Sequence, residues 1–448
     1  MRVQYIQSAC VVVEHAGKRV LCDPWLTDGI FYGSWYHYPP LAFKPEDFAD
    51  VDYIYLSHVH PDHMDEETLK RLPRSIKILI LEYAEKYFLH ILKRLGFQHI
   101  QEVPHRGVVS LGPDFSVEVL ASDDCNPTLF EKFFSFKAPL PYTRTLWVDS
   151  LAVFHGSGKT VVNTNDCLYE LSPTACDYIK EKYKTIDLLL VGYGGAGEYP
   201  QCFENYDEPT KLIKAAAKKR QFLNQTVRFL KHLRPVWFIP FAGEYTLGGR
   251  AAGLNRFRGI PEREELPSEF EPLLRQEKIP TEYILLNSGE WFNIDSGTPS
   301  TPFVPPDPLA RQRYIDEILS KKKFTYEEEF RIDESKWTDL TQRLQEAHSR
   351  LWRYQKEYGY RSDWRVYLDA GQGDLYCVPL DGSQVERVAR GREQEPFLRI
   401  GIDYSLLNMI LNRQAHWNNA LPTSHMRFFR QPDIYEREIV HMISYLHC

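Results

Sequence analysis

The chain has 448 residues, 43% hydrophobic and 26% charged, a composition that excludes a disordered or low-complexity protein. At about 100–200 residues per domain, this length predicts two or three domains. A net charge of −7 without a basic stripe argues against nucleic acid as a partner, and no run approaches the ~20 apolar residues of a membrane span.

The eight cysteines form no CxxC pair and lie in a large chain, which predicts reduced thiols. The N-terminus, MRVQYIQSACVVVEH, lacks the charged n-region and apolar core of a secretory signal. A cytoplasmic protein is therefore expected.

In chain order, Val11 to Val13 and Arg19 to Leu21 flank Ala16-Gly17 and predict a hairpin. Val51 to Ser57 reads as a strand that runs into His58. Asp65 is a candidate N-cap for the helix EETLKRL. Ile76 to Leu81 reads as a strand, and Glu82 to Leu95 as an amphipathic helix ending before Gly96. Strands return over 100–166, with Ser150 to His155 and Thr160 to Asn163 on either side of Gly156-Ser157-Gly158. Ile186 to Gly192 has the apolar character of a buried strand. A long helix is predicted from Glu208 to Leu233, stopped by Pro235, with the strand VWFIPFAG after it.

Two successive sets of strands and helices predict a layered α/β domain over 1–300. Residues 296–309, rich in Pro, Ser and Thr, read as a linker. Residues 301–448 read as a smaller α+β domain. Its strands lie near Val366–Leu368 and Leu375–Pro379, and its helices near Ser405–Asn412 and Ile434–Leu446.

The chemistry concentrates in His58-Val59-His60-Pro61-Asp62-His63, an HxHxDH box. Alternate side chains of an extended stretch point the same way, so His58 and His60 can converge on one metal ion. A turn at Pro61 can aim Asp62 and His63 at a second. Neutral imidazoles with carboxylates suit Zn, Fe or Mn, and two such ions can share a bridging water.

This box after an apolar strand, with Asp23 in LCDPWL and Asp166 in VVNTND, resembles the metallo-β-lactamase superfamily. The resemblance implies a four-layer αββα sandwich, a bridging role between two metals for Asp166, and a supporting role behind the ligands for Asp23. Within it, FYGSWYHYPPL, YIYLSHVHPDHMD, VVNTNDC, GYGGAGEYP and RPVWFIPFAG are similar, in the same order, to the C-terminal part of the CMP-N-acetylneuraminate hydroxylase family. That family carries an N-terminal Rieske domain. No CxH…CxxH pattern occurs here, so the expected electron donor is another protein.

The pattern departs from the hydrolases of the superfamily at two late histidines. The corresponding stretches read Ser122-Asp123-Asp124-Cys125-Asn126 and Phe241-Ala242-Gly243-Glu244-Tyr245. Asp124 (or Asp123, with Asn126 also in range) and Glu244 are the candidate replacements. A carboxylate-rich set favours iron, in the manner of diiron hydroxylases of this fold.

Other signals are weaker. GSGKT over 156–160 lacks the first glycine of a phosphate loop and reads as a hairpin turn. Tyr193, Gly194 and Gly195 follow a buried strand and are candidate substrate contacts or a tight crossover turn. Lys211, Lys214, Lys218, Lys219 and Arg220 read as a solvated helix face. His15, His37, His90 and His232 read as structural, and His441 and Cys448 as core or dimer contacts. A homodimer is an open expectation.

The leading functional expectation is a diiron, O2-dependent hydroxylase of a small molecule, with Asp62 and Asp166 at the reacting centre and an electron-transfer partner. The competing one is a dinuclear Zn or Mn hydrolase acting on an ester, amide or phosphodiester. A binding module without activity is the third, and the intact box argues against it.

Overall fold

The computed structural model describes residues 1–135, 137–138 and 142–448. Side-chain alternation along the strands builds its layers. In Phe115–Ala121, Val117, Val119 and Ala121 join one apolar cluster while Leu120 joins another. Ala152 and Phe154 face the first cluster, Leu151 and Val153 the second; Leu188 and Leu190 part from Leu189 and Val191 in the same way. A strand with apolar residues on both faces is covered on both, which is the burial that a central layer of a sandwich requires.

The first cluster lies between two sheets. The eight-stranded sheet runs, in spatial order, Thr298–Pro299, Trp291–Asn293, Arg2–Gln7, Cys10–His15, Lys18–Cys22, Tyr53–Tyr55, Lys77–Leu81 and Ile100–Val103. The seven-stranded sheet runs Glu282–Tyr283, Trp237–Phe241, Leu188–Gly192, Lys159–Asn163, Ser150–Gly156, Phe115–Ala121 and Gly107–Gly112. Helices Glu66–Arg71 and Tyr87–Arg94 bring Leu69, Phe88 and Leu92 to the first sheet. Helices Pro173–Tyr183, Glu208–Leu233 and Leu266–Gln276 cover the second with Ile179, Leu230 and Phe270. The architecture is the αββα sandwich that the sequence motifs imply.

The predicted helix from Glu208 to Leu233 forms over those residues, with Asp207 accepting from the Thr210 amide at 2.9 Å as its N-cap. Asp65 caps Glu66–Arg71 as expected. The helix expected from Glu82 begins only at Tyr87. Ser157-Gly158 turns between the antiparallel strands Ser150–Gly156 and Lys159–Asn163, as a hairpin rather than a phosphate loop.

Residues after 300 add a third sheet, ordered Glu386–Val388, Leu375–Pro379, Arg365–Asp369, Phe397–Gly401 and Arg427–Gln431. It shares one apolar cluster with the layered body: Trp25, Phe31, Trp35, Phe203 and Tyr245 pack with Phe324, Leu407, Trp417 and Phe428. The stretch read as a linker is pinned down as well. Thr298–Pro299 pairs with Trp291–Asn293, and Val304 exchanges two hydrogen bonds with the Asn287 side chain at 2.7 and 2.8 Å. Among the described residues, no helix is long and apolar enough to cross a membrane.

Leu230 is fully buried where the long helix meets the second sheet. Leu230→Ala is expected to lower unfolding stability by about 2–5 kcal/mol, through lost burial and the cavity left behind. Chemical denaturation checks it: the midpoint should fall with the slope unchanged.

Candidate metal centre

The pairing geometry brings the chemistry to one edge. Lys18–Cys22 and Tyr53–Tyr55 run parallel, so Asp23 and the His58 loop emerge side by side. Lys159–Asn163 runs parallel to Leu188–Gly192 and antiparallel to Ser150–Gly156. Its C-terminal end, which leads to Asp166, therefore lies beside the N-terminal end of Ser150–Gly156, which Asp149 precedes.

The loop that carries the box is held by Ser57. Asp23 is wholly buried and accepts from the Ser57 amide at 2.7 Å and the Ser57 hydroxyl at 2.6 Å. The Ser57 carbonyl accepts from the Tyr83 hydroxyl at 2.6 Å and the Ser150 hydroxyl at 2.7 Å. Asp23 Oδ2 also lies 2.8 Å from His63 Nδ1. With Nδ1 as donor to a carboxylate, the neutral ring keeps Nε2 free as a ligand atom.

His63 Nε2 lies 3.3 Å from Asp166 and 3.6 Å from Asp62. The His58 ring is 4.7 Å from the His60 ring and 4.1 Å from the His63 ring, centre to centre. Two overlapping groups have metal-binding spacing, with all ligand atoms of each within 4.8 Å of one another: His58, His60 and Asp149; and His58, His63 and Asp166. His58, His63 and Asp149 are buried, whereas the Asp166 side chain is 31% exposed, so the cluster has a dry floor and an open face.

Burial pulls the His58 pKa far below the usual imidazole value, and His60 down to about 4, so both are neutral near pH 7. Burial, with Asp166 as an added like charge, raises Asp62 and Asp149 to about 7. Burial also opposes the charge on His63, but Asp166, Asp62 and Asp23 outweigh it and hold that pKa well above normal. The donors fit metal ions: neutral imidazoles, crowded carboxylates with charge to neutralise, and a buried His58 Nε2 without a hydrogen-bond partner.

Asp149 escaped the sequence reading. A signal was present, because an acidic residue immediately before a strand antiparallel to the one leading to Asp166 must share its edge. The Trp147 indole N–H holds it at 2.7 Å.

The expected replacements for the late histidines are engaged elsewhere. Asp124 binds His105 and Arg106, each at 2.8 Å. Burial pushes its carboxyl up, but the hydrogen bonds from His105 and Arg106 outweigh that and hold it below the usual range. Asp123 accepts from Tyr142 at 2.7 Å and Thr145 at 2.9 Å, and Asn126 caps the helix Pro127–Phe134. Glu244 accepts from the Tyr5 hydroxyl and lies 3.3 Å from Arg263. Neither Asp124 nor Glu244 belongs to a group of metal-binding spacing among the described residues.

The glycine-rich stretch has a packing reason. A Cβ on Gly243 would lie 2.6 Å from the Gly194 Cα, and one on Gly195 2.9 Å from the Phe222 ring. Two turns thus cross backbone to backbone, beside a fully buried Tyr193.

Residues 2–124 match the family model described as a beta-lactamase superfamily domain. The match covers the N-terminal part of the chain, and with the two-sheet sandwich it gives the metallo-β-lactamase fold. Among curated proteins, it is 27% identical over 249 residues to a protein of Mycolicibacterium smegmatis named as a Rieske 2Fe-2S iron-sulfur protein, covering 54% of this chain and 43% of that one. It is 24% identical over 288 residues to the cytidine monophosphate-N-acetylneuraminic acid hydroxylase of Danio rerio, covering 62% and 43%. The chain thus spans less than half the length of these relatives. Among solved structures, CmlA, a diiron beta-hydroxylase from Streptomyces venezuelae, overlaps with a TM-score of 0.38 at 19% identity, covering 63% and 52%. An isothiocyanate hydrolase from Delia radicum gut bacteria overlaps with a TM-score of 0.44 at 16% identity, covering 65% and 98%.

Two predictions follow from the donor geometry. Asp149→Ala should lower bound metal per chain, measured by elemental analysis, whereas Asp124→Ala should leave it unchanged. Metal affinity should rise between pH 6 and pH 8, because protons on Asp62, Asp149 and His63 compete with the ion while His58 and His60 are already neutral. Competition with a chelator across that range measures it, and a flat profile would contradict the raised carboxylates.

Proposed function

We propose that this chain is a dinuclear non-heme iron oxygenase that hydroxylates a small molecule, using O2 and electrons delivered by a separate redox protein. The donor set carries the reading. His58, His60 and His63 are matched by Asp62, Asp149 and Asp166 in one cluster, and each carboxylate is within reach of an imidazole. Hydrolytic zinc sites lean on nitrogen and sulfur donors, whereas oxygen-rich sites suit iron. Support comes from the hydroxylase name of one relative and the iron–sulfur name of another.

Iron held in such a set supplies the activation of O2, which no side chain can provide. The side chains hold and orient. Asp23 keeps the His63 ring turned with Nε2 toward Asp166, and Trp147 keeps Asp149 beside His58, 3.7 Å from its Nδ1. His58, His63 and Asp149 exclude water from the floor. His60, Asp62 and Asp166 border the open face, where a substrate would meet the ions.

One observation favours hydrolysis. Asp62 titrates near neutrality, which suits a general base, and Zn or Mn in the same positions would supply an activated water.

Anaerobic purification from iron-supplemented cells separates the two. The oxygenase reading expects about two irons per chain, a coupled pair by Mössbauer spectroscopy, and oxidation of the ferrous protein by O2. His60→Ala should lose that iron. About two zincs per chain, with no O2 chemistry after iron reconstitution, would move the assignment to a hydrolase. Asp23→Asn should weaken metal binding by about 10–100-fold with the fold retained, because the carboxylate that orients His63 is lost.

A further inference from the structure

Hydroxylation of a C–H bond uses one O2, two electrons and two protons, and leaves one water beside the product. When no substrate lies at the open face, O2 that reacts with ferrous iron draws on another electron source. The histidines that hold the iron are then at risk, unless a more easily oxidised ring is coupled to it.

Trp147 has that place. Its indole N–H donates to Asp149 Oδ2 at 2.7 Å. The other oxygen, Oδ1, lies 3.7 Å from His58 Nδ1. One oxygen thus faces the histidines and the other faces the ring. Asp149 shares metal-binding spacing with His58 and His60, so an ion held there is separated from the indole by one carboxylate and one hydrogen bond. Asp149 is buried, whereas Trp147 is half-buried. The ring therefore links the dry floor of the site to the surface.

Packing alone does not call for this bond. The indoles of Trp25, Trp337 and Trp417 donate to the main-chain carbonyls of Thr27, Ile332 and Leu446. Tyr55, Tyr83 and Tyr142 direct their hydroxyls to Ser150, Ser57 and Asp123, outside the two groups of metal-binding spacing. Trp147 instead meets a carboxylate of the cluster.

The segment that carries the ring is fixed by another buried carboxylate. Asp123 is fully buried and accepts from the Tyr142 hydroxyl at 2.7 Å and the Thr145 hydroxyl at 2.9 Å. The Tyr142 oxygen accepts in turn from the Leu146 amide at 3.2 Å, and the Thr145 oxygen from the Trp147 amide at 2.9 Å. The Phe133 and Phe134 rings pack against the indole, each with its centre 5.5 Å away. Phenyl and imidazole rings give up electrons less readily than indole, so an oxidising equivalent that leaves the iron settles on Trp147.

We propose that Trp147 is the electron source for the metal centre when O2 reacts without substrate, and so a site of oxidative modification that spares His58, His60 and His63. This deepens the oxygenase reading and rests on it for the oxidant. The indole loses one electron to the O2-oxidised iron pair and becomes its radical cation. Nε1 keeps its proton within the hydrogen bond, and the negative charge of Asp149 faces the new positive charge. A second electron follows to the same acceptor, water adds to the ring, and two protons go to solvent. Trp147 thus takes the place of the substrate in the overall balance: one O2, two electrons from the ferrous pair and two protons give the hydroxylated ring and one water.

The test exposes the ferrous full-length chain to O2 without substrate. Samples frozen within milliseconds are read by electron paramagnetic resonance, and the end product by peptide mass spectrometry. A tryptophan radical should form, with lines that narrow when the ring is deuterated. Trp147 should gain one oxygen atom, and the zinc-loaded chain should gain none. Trp147→His keeps an N–H donor for Asp149 but lacks the indole. It should retain its iron, by elemental analysis and Mössbauer spectroscopy, lose the radical, and show several-fold more oxidation at His58, His60 and His63. Mapping the nine tryptophans of the unaltered chain needs no variant, so the inference stands or falls even if Trp147→His does not fold.

An unmodified Trp147 in a chain that holds two irons and is oxidised by O2 overturns this inference alone. So does oxygen gain that is equal in the zinc-loaded chain or spread evenly over the tryptophans. A chain that takes up only zinc and shows no O2 chemistry removes the oxygenase reading, and this inference with it.

Discussion

A buried carboxylate must be fully hydrogen-bonded or it destabilises the fold, and Asp23 meets that demand in a way that organises everything around it. It accepts from the amide and hydroxyl of Ser57 and from His63, all within 2.8 Å. The first two bonds fix the exit of the strand Tyr53–Tyr55, and the third fixes a ring six residues further along. Ser57 passes the constraint across the sandwich, since its carbonyl accepts from Ser150 at the head of a strand in the other sheet. The metal cluster thus straddles the seam between the sheets, and neither sheet alone could define it.

Electrostatics explains why that seam is a site rather than a core. Asp62, Asp149 and Asp166 crowd three imidazoles at the edge of an apolar layer, where like charges are poorly screened. Two of the carboxylates hold their protons up to about pH 7, and one imidazole is drawn into an ion pair. Such an arrangement stores unfavourable energy that bound cations release.

Legibility in the sequence followed the range of the interactions. The hairpin at Ala16-Gly17, the long helix capped by Asp207 and the turn at Ser157-Gly158 depend on neighbours within a few residues, and each is readable from local pattern. The His58 to His63 box is local too. A supporting role for Asp23 was implied by resemblance, but its pairing with His63 was not legible, because forty positions separate them. Asp124 and Glu244 satisfied composition and order along the chain, but the competing partners His105, Arg106, Tyr5 and Arg263 come from other strands and helices. Gly194 and Gly195 have the composition of a ligand loop, yet backbone crossing against Gly243 and the Phe222 ring accounts for them.

By itself, then, the sequence determined the layered α/β class, the positions of the long elements and the histidine box, because hydrophobic period and ligand spacing act over short stretches of chain. Tertiary structure decided which carboxylates join those histidines. It placed Asp149 among them through antiparallel pairing with the strand that leads to Asp166, and drew Asp124 and Glu244 into ion pairs of their own. It also packed the region after residue 300 against Trp25, Phe31 and Trp35 of the layered body. The physical reason is that charges buried in a low-dielectric interior are assigned by whatever lies within a few ångströms, and distance along the chain does not report distance in space.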